Sequence, residues 1–195
     1  MLDFLRQLDQ DMLLAINGLH APWLDSLMMT FTHGAAWLPF FLVIIGMLIY
    51  RYRWGALTLL LLTAVTILLT DQLSAGLIKP LVGRLRPSHN PQLEGILHLV
   101  NGYRGGLYGF VSSHAANSFG AATFLWLAGR QKISWLWIMY VWAGLFAFTR
   151  IYLGVHYPSD IVAGALLGVV VGWLIFRLAL QLPQKWYPHP QAVEG

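Results

Sequence analysis

Three short polar segments interrupt an otherwise apolar chain, and their residue types suit chemistry on an anion. They are KPLVGRLRP (Lys79–Pro87), VSSH (Val111–His114) and TRIYLGVHYPSD (Thr149–Asp160). Lys79, Arg86 and Arg150 bring cations to the edge of hydrocarbon, where unpaired charge is costly to desolvate. The nearby acids are few: Asp160, Glu94 and, deeper, Asp71. An anionic ligand is the simplest remedy, because the arginine fork matches phosphate oxygens and lysine adds a point charge. Ser112 is placed to cap a helix beginning near Ser113. A helix N-terminus presents N–H groups and partial positive charge to phosphate. His156 and Asp160 stand four residues apart. A carboxylate at that spacing accepts one ring N–H, fixes the tautomer and leaves the other nitrogen as a nucleophile. His114, if protonated, donates to a leaving oxygen. One neutral and one charged imidazole predict a bell-shaped pH profile. The same histidines and Asp160 are ordinary metal ligands. Three cations are poor company for a dication unless a bound phosphate bridges them, so the expectation is no metal and no other cofactor.

The elements that must position these residues are membrane helices. The chain has 195 residues, 57% of them hydrophobic and 10% charged, with a mean hydropathy of +0.61. A soluble domain carries about 25% charged residues. The basic residues are scattered among apolar spans, which excludes a nucleic-acid-binding stripe. The absence of cysteine excludes disulfide and thiolate chemistry. Five apolar blocks run roughly over 23–50, 55–78, 115–128, 133–148 and 160–180. About twenty helical residues cross the hydrocarbon. The first block contains Gly34 and Pro39 and reads as one tilted span or as a short helix plus a span; the third and fourth must borrow residues from their flanks. The expected fold is an all-α, polytopic transmembrane helical bundle of five or six spans, forming one domain over 1–195. No alternating strand pattern supports a barrel. Residues 1–20 mix Asp3, Arg6, Asp9 and Asp11 with Leu2, Leu5, Leu8, Met12 and Ile16, and read as an interfacial helix rather than a cleaved signal. Residues 23–180 form the bundle and 181–195 a cytoplasmic tail.

Orientation follows from the connections. Residues 51–54 and 130–132 are tight turns on one membrane face, shared with the C-terminal tail. The loops 79–112 and 150–159 share the other face. The tight-turn face holds Arg51, Arg53, Arg130, Lys132, Arg177 and Lys185, with Glu194 its one acid. The positive-inside rule makes that face cytoplasmic. The polar segments then lie on the outer, non-cytoplasmic face of the membrane.

Taken together, the three segments resemble the signatures of the type 2 phosphatidic acid phosphatase (PAP2) superfamily. Lys79, six residues, then Arg86-Pro87 matches the first signature. Ser112 and His114 match the second, usually Pro-Ser-Gly-His. Arg150, five residues, His156, three residues and Asp160 match the third, usually opening Ser-Arg. The similarity covers about residues 55–180. It implies a metal-independent membrane phosphatase acting through a phosphohistidine, with His156 as nucleophile, Asp160 as its orienting partner and His114 as general acid. Lys79, Arg86, Ser112, Ser113 (through its N–H) and Arg150 would hold the phosphoryl oxygens. Val111, Ser113 and Thr149 depart from the usual proline, glycine and serine; none of these removes a catalytic group. The pattern is similar to small bacterial members acting on undecaprenyl pyrophosphate, phosphatidylglycerol phosphate or lipid A. The expected partners are a membrane lipid phosphate and the bilayer, with no nucleic acid; the oligomeric state cannot be read. The alternatives are a non-catalytic binder or transporter of lipid phosphates, and a lipid-to-lipid phosphotransferase.

Residues outside the signatures carry weaker expectations. Asp71 supports the site or makes a helix–helix contact. Arg84 and Arg104 are weaker candidates for phosphate binding in the site, the alternative being contact with headgroups only. His20, His33, His89, His98 and His189 are surface residues. The stretch QLEGILHLVNGYRGGLYG (92–109) predicts a short helix over the site. Gly164, Gly168 and Gly172 form a small-residue stripe that predicts close helix packing, within the same chain in a compact bundle.

Overall fold

The computed structural model describes residues 2–183 and 186–187, and among these it is helical with no strand. Helix α1 (Leu2–Asn17) is amphipathic in an unusual sense. Its outward face carries Phe4, Leu5, Leu8 and Met12, all exposed, while its inward face carries Asp9, Leu13 and Asn17, all buried. Those inward positions recur every four residues, the spacing of one helix face. Helix α2 (Pro22–Phe31) is short, and a 3-10 turn at Gly34–Trp37 separates it from α3 (Leu38–Tyr52). The first apolar block is therefore a short helix followed by a long one.

Helix α4 (Gly55–Asp71) continues through a π-helical stretch, Gln72–Ile78, into α5 (Lys79–Val82). Pro80 has no N–H for the carbonyl four residues back and its ring crowds that carbonyl, so a widened turn ahead of it is physically reasonable. Helices α6 (Ser113–Gly129), α7 (Ile138–Tyr152) and α8 (Pro158–Ala179) complete the bundle. Among the described residues, three stretches are long and apolar enough to cross a membrane: Gly34–Tyr52, Gly55–Val82 and Pro158–Ala179.

The centre of the bundle is α6, which packs against α4, α7 and α8. Its small residues permit this. Ala115, Ala116, Gly120, Ala121 and Ala122 are buried, and so are Gly164, Gly168 and Gly172 of α8. A Cβ on Gly172 would lie 2.5 Å from the Gly120 carbonyl oxygen, and one on Gly164 or Gly168 would collide with the carbonyls of Ser112 or Ala116. The glycine stripe of α8 thus meets the α6 backbone of its own chain. The apolar core around them draws on α3, α4, α6, α7 and α8, and Tyr187 is buried in it.

The connections sort to two ends. At one end Arg51 Nε donates to the Lys132 carbonyl at 3.0 Å, and Tyr52 Oη donates to the Gly129 carbonyl at 3.0 Å. The tight turns are therefore neighbours, as their spacing predicts. Lys185, His189 and Glu194 lie outside the described residues. At the other end lie the segment 83–112 and the turn 153–157. Residues 92–109 do not form the expected helix: they run through 3-10 turns at Pro91–Leu93 and Val100–Gly102. Positive φ at Gly95, Asn101, Gly102 and Gly105 breaks any continuous helix there.

Candidate active site

Each chemistry-bearing side chain is set by a local device. Tyr152 ends α7, and the chain reverses through Gly154, whose φ of +69° favours glycine. In that reversal the backbone N–H groups of Val155 and His156 both donate to the Arg150 carbonyl, at 3.1 and 3.2 Å. Pro158 then opens α8 and places Asp160 in its first turn. His156 Nδ1 lies 3.2 Å from Asp160 Oδ2, which also accepts the Tyr157 backbone N–H at 3.0 Å. The two side chains are 1% and 0% exposed. Burial, and then the charges of Arg86, Arg150 and Lys79, hold the His156 imidazole well below its usual pKa. At neutral pH it is neutral, with Nδ1–H assigned toward Asp160 and a lone pair on Nε2.

The loop cations arrive on an extended segment. The backbone N–H of Arg86 donates to the Leu107 carbonyl at 3.0 Å and that of Gly109 to the Arg84 carbonyl at 2.9 Å, with Leu85 bridged to Tyr108. Alternate residues of an extended chain share a face, so Arg84 and Arg86 both turn toward the start of α8 while Leu85 turns out. Arg86 Nε donates to the Tyr108 carbonyl at 3.1 Å, and its Nη1 lies 3.4 Å from the Val155 carbonyl. Gly105 leaves it room, since a Cβ there would stand 2.8 Å from Arg86 Nη1. Arg150 donates to Thr32 Oγ1 at 2.5 Å and to Tyr103 Oη at 3.0 Å. Its Nε is buried with no hydrogen-bond partner among the described residues. Lys79 Nζ donates to Ser113 Oγ at 2.7 Å, and Ser74 Oγ lies 2.9 Å from the same oxygen. None of Lys79, Arg86 and Arg150 has an acid within ion-pair distance among the described residues.

Helix α6 opens as its sequence predicts. Ser112 caps it, its Oγ accepting the Ala115 N–H at 3.4 Å, and its own N–H donates to the Asp160 carbonyl at 3.0 Å. Ser112 is fully buried and occupied with these tasks. The first-turn N–H groups of Ser113 and His114 have no intrahelical acceptor, by the geometry of any helix start. His114 stacks on Phe146 at 5.0 Å between centroids, and its charge state is felt by His156.

Asp9 and Arg84 take places that sequence spacing did not assign, while Asp71 takes one of the two expected of it. Arg84 is no headgroup contact: it bonds Asp9 Oδ2 at 2.6 Å, Asp160 Oδ1 at 2.9 Å and Ser159 Oγ at 2.7 Å, and lies 4.1 Å over the Tyr157 ring. Asp71 accepts from Asn117 Nδ2 at 3.3 Å, and Thr70 Oγ1 lies 2.7 Å from Asn117 Oδ1. Asp71 is thus a contact between α4 and α6. The exposed Arg104 offers its carbonyl to Ser88 Oγ at 2.6 Å. Among the described residues, the side chains whose ligand atoms come close enough to share a cation are those of His20, Asp25 and His98, within 4.8 Å of one another. They form a tie at the edge of the same mouth: His20 stacks on His98 at 3.9 Å, His98 Nε2 meets Asp25 Oδ2 at 2.8 Å, and Tyr152 Oη donates to Asp25 Oδ1 at 2.6 Å. One concavity lies within the loop, lined by Pro87, Ser88, Leu93, Leu97 and Arg104, away from His156. A groove of about 460 Å³ opens beside Arg84, between α1 and the end of α5, lined by Leu5, Asp9, Val82, Arg84, Phe110 and Ser159.

Apolar helices long enough to cross a membrane and a phosphatase family match together mark a multi-pass membrane phosphatase. The chain belongs to the PAP2 superfamily, which matches residues 55–183. It is 44% identical over 189 residues to the lipid A 4'-phosphatase of Bacteroides thetaiotaomicron, covering 95% of this chain and 83% of that one. It is 30% identical over 198 residues to the lipid A 4'-phosphatase of Porphyromonas gingivalis, covering 98% and 84%. Among solved structures it resembles Aquifex aeolicus LpxE, with a TM-score of 0.63 and 26% identity over 87% of this chain and 95% of that one. It shares its fold with the PAP2-type phosphatidylglycerolphosphate phosphatase of Bacillus subtilis, with a TM-score of 0.66 and 24% identity over 92% and 88%.

Proposed function

We propose that the chain removes a phosphate monoester from a lipid A-type glycolipid, the 4'-phosphate in particular, by a metal-independent phosphohistidine route. The observation that carries the reading is the meeting of His156–Asp160 with Lys79, Arg86 and Arg150, three cations with no acid within ion-pair distance among the described residues. The substrate class rests on the 44% identical relative.

In this reading His156 Nε2 attacks phosphorus as the ester oxygen departs, and the P–O bond breaks as the N–P bond forms. Asp160 holds Nδ1–H and stabilises the imidazolium-like ring. His114 gives its proton to the departing sugar oxygen, then takes one from the water that attacks the N–P bond, releasing inorganic phosphate and restoring His156. Lys79, Arg86, Arg150 and the N–H groups of Ser113 and His114 stabilise charge on the equatorial oxygens. Ser112 serves as cap and tie, not as a phosphate ligand. The chain acts as one domain, with α3, α4–α5, α6, α7 and α8 as five crossings, α1 on the outer surface and 181–195 in the cytoplasm. The site faces outward from the inner membrane, where the positive-inside rule puts it.

The test is phosphate release by detergent-solubilised full-length protein, with excess chelator. It compares native chain with His156→Ala on lipid A, phosphatidylglycerol phosphate and undecaprenyl pyrophosphate. Native turnover on lipid A that survives chelator, with loss of roughly 10⁴-fold in the variant, is the expected result. Activity lost with chelator returns the site to the metal reading; no turnover on any lipid makes the protein a binder or transporter.

A further inference from the structure

We infer that Asp9 and Arg84 are positioning residues of the phosphatase site: Asp9, on helix α1, holds Arg84 against Asp160, so that the N-terminal helix is a working part of the catalytic apparatus. The inference rests on the function proposed above.

Asp160 is fully buried. Its Oδ2 serves His156 and the Tyr157 N–H, and its Oδ1 is held by Arg84. The guanidinium is fixed on several sides, by Asp9, Ser159 and the Tyr157 ring. Asp9 is itself buried and bonds Ser159 twice, through the backbone N–H at 2.8 Å and the hydroxyl. Two further anchors pin α1 to the elements that carry chemistry. Leu13 packs with Leu93, Ile151 and Tyr157. Asn17 Nδ2 donates to the carbonyls of His98 at 2.9 Å and Tyr152 at 2.7 Å. The groove beside Arg84 brings the apolar side chains of Leu5, Val82 and Phe110 next to this clamp.

The clamp sets the charge felt by a coupled pair. His156 and Asp160 titrate together, faced by Arg84 and Arg86 from the loop, Asp9 from α1, Lys79 from α5, His114 from α6, Arg150 from α7 and the neighbouring Tyr157. Loss of the Arg84 cation lets the pair take up a proton at higher pH. Loss of the Asp9 anion leaves Arg84 acting on Asp160 alone and has the opposite sign.

The experiment measures kcat and KM for phosphate release from lipid A across the acid range, in detergent with the full chain, beside melting temperature. Arg84→Gln is expected to lower kcat about 10- to 100-fold and to move the acid limb up by about one pH unit. Asp9→Asn is expected to lower kcat less and to move the limb down. Arg84→Lys keeps the charge and holds the limb near its native place. A purely structural role would lower activity in the first two without moving the limb in opposite directions, and that result overturns the inference. Native kcat and limb in both variants overturns it too, leaving the proposed function intact if His156→Ala is dead. A native chain with no phosphate release ends both. If Arg84→Gln does not fold, Asp9→Asn and Arg84→Lys decide the matter.

Discussion

Arg84 and Arg86 stand two residues apart on one extended segment and face the same helix start, yet the fold treats them in opposite ways. Arg84 is paired twice, with Asp9 and Asp160. Arg86 has backbone carbonyls, Arg150 has a hydroxyl and a phenol, and Lys79 has a serine. A half-buried cation matched by buried carboxylates is part of the fold, and removing it strands the acids. A buried cation matched only by neutral oxygens keeps its charge for a ligand. The difference teaches that stability and catalysis are divided between neighbours at this mouth, and each half can be broken separately.

The largest effect is expected from the unpaired set. Arg86→Met and Arg150→Met should each lower kcat/KM about 100- to 1000-fold, the usual loss for one group that stabilises transition-state charge. Their melting temperatures should hold or rise, because an apolar side chain of similar length removes an uncompensated charge. Phosphate release and thermal unfolding on the same preparations check both statements. A clear fall in melting temperature would show that these cations also support the fold, and the contrast with Arg84 would fail.

Arg84→Met should invert the pattern. Catalysis falls less, about 10- to 100-fold, while the melting temperature drops by several degrees as Asp9 and Asp160 lose their partner. An unchanged melting temperature would place Arg84 with the ligand-binding cations instead.

The unpaired cations also fix a pH sign. His156 must be neutral to attack, and burial with Arg86, Arg150 and Lys79 keeps it neutral well below the usual imidazole value of about 6.5. On the acid side, rate is therefore lost as pH falls through that lowered value, so the acid limb of kcat/KM lies below about 6.5. Removing the Arg86 charge eases protonation of the ring, and the limb in Arg86→Met moves up. A limb at or above the ordinary value in the native chain would mean the cations do not reach the ring.

How much of this was legible in the sequence depends on range. His156 and Asp160 lie within one helical turn, and Ser112 precedes its helix directly, so spacing alone places them. The three cations follow from their rarity in apolar surroundings. The glycine stripe of α8 predicts close packing, and small residues on α6 receive it. From sequence Asp9 is one more charge on an amphipathic helix, because nothing local shows that it reaches Ser159, 150 residues on. Arg84 had a signal: Arg-Leu-Arg before proline is extended, and alternate residues share a face. Thr32 and Tyr103, which orient Arg150, are a hydroxyl and a phenol without distinguishing neighbours, and only the folded chain brings them to it. The helix expected over 92–109 fails where backbone handedness, not hydrophobic pattern, decides.

Asp71 offers the smallest effect and the sharpest control. It is an acid near the mouth, yet it has no cation within ion-pair distance among the described residues. Its contact is the amide of Asn117, which also meets Thr70, so the group ties α4 to α6. Asp71→Asn keeps the shape and an acceptor oxygen, and costs at most about 1 kcal/mol, the net worth of one hydrogen bond. That corresponds to a few degrees of melting temperature, with kcat and the acid limb expected at their native values. If the limb moved as far as in Arg84→Gln, Asp71 would be acting on the reacting groups through Lys79. The division between paired and unpaired charge would then have to include the interior of α4.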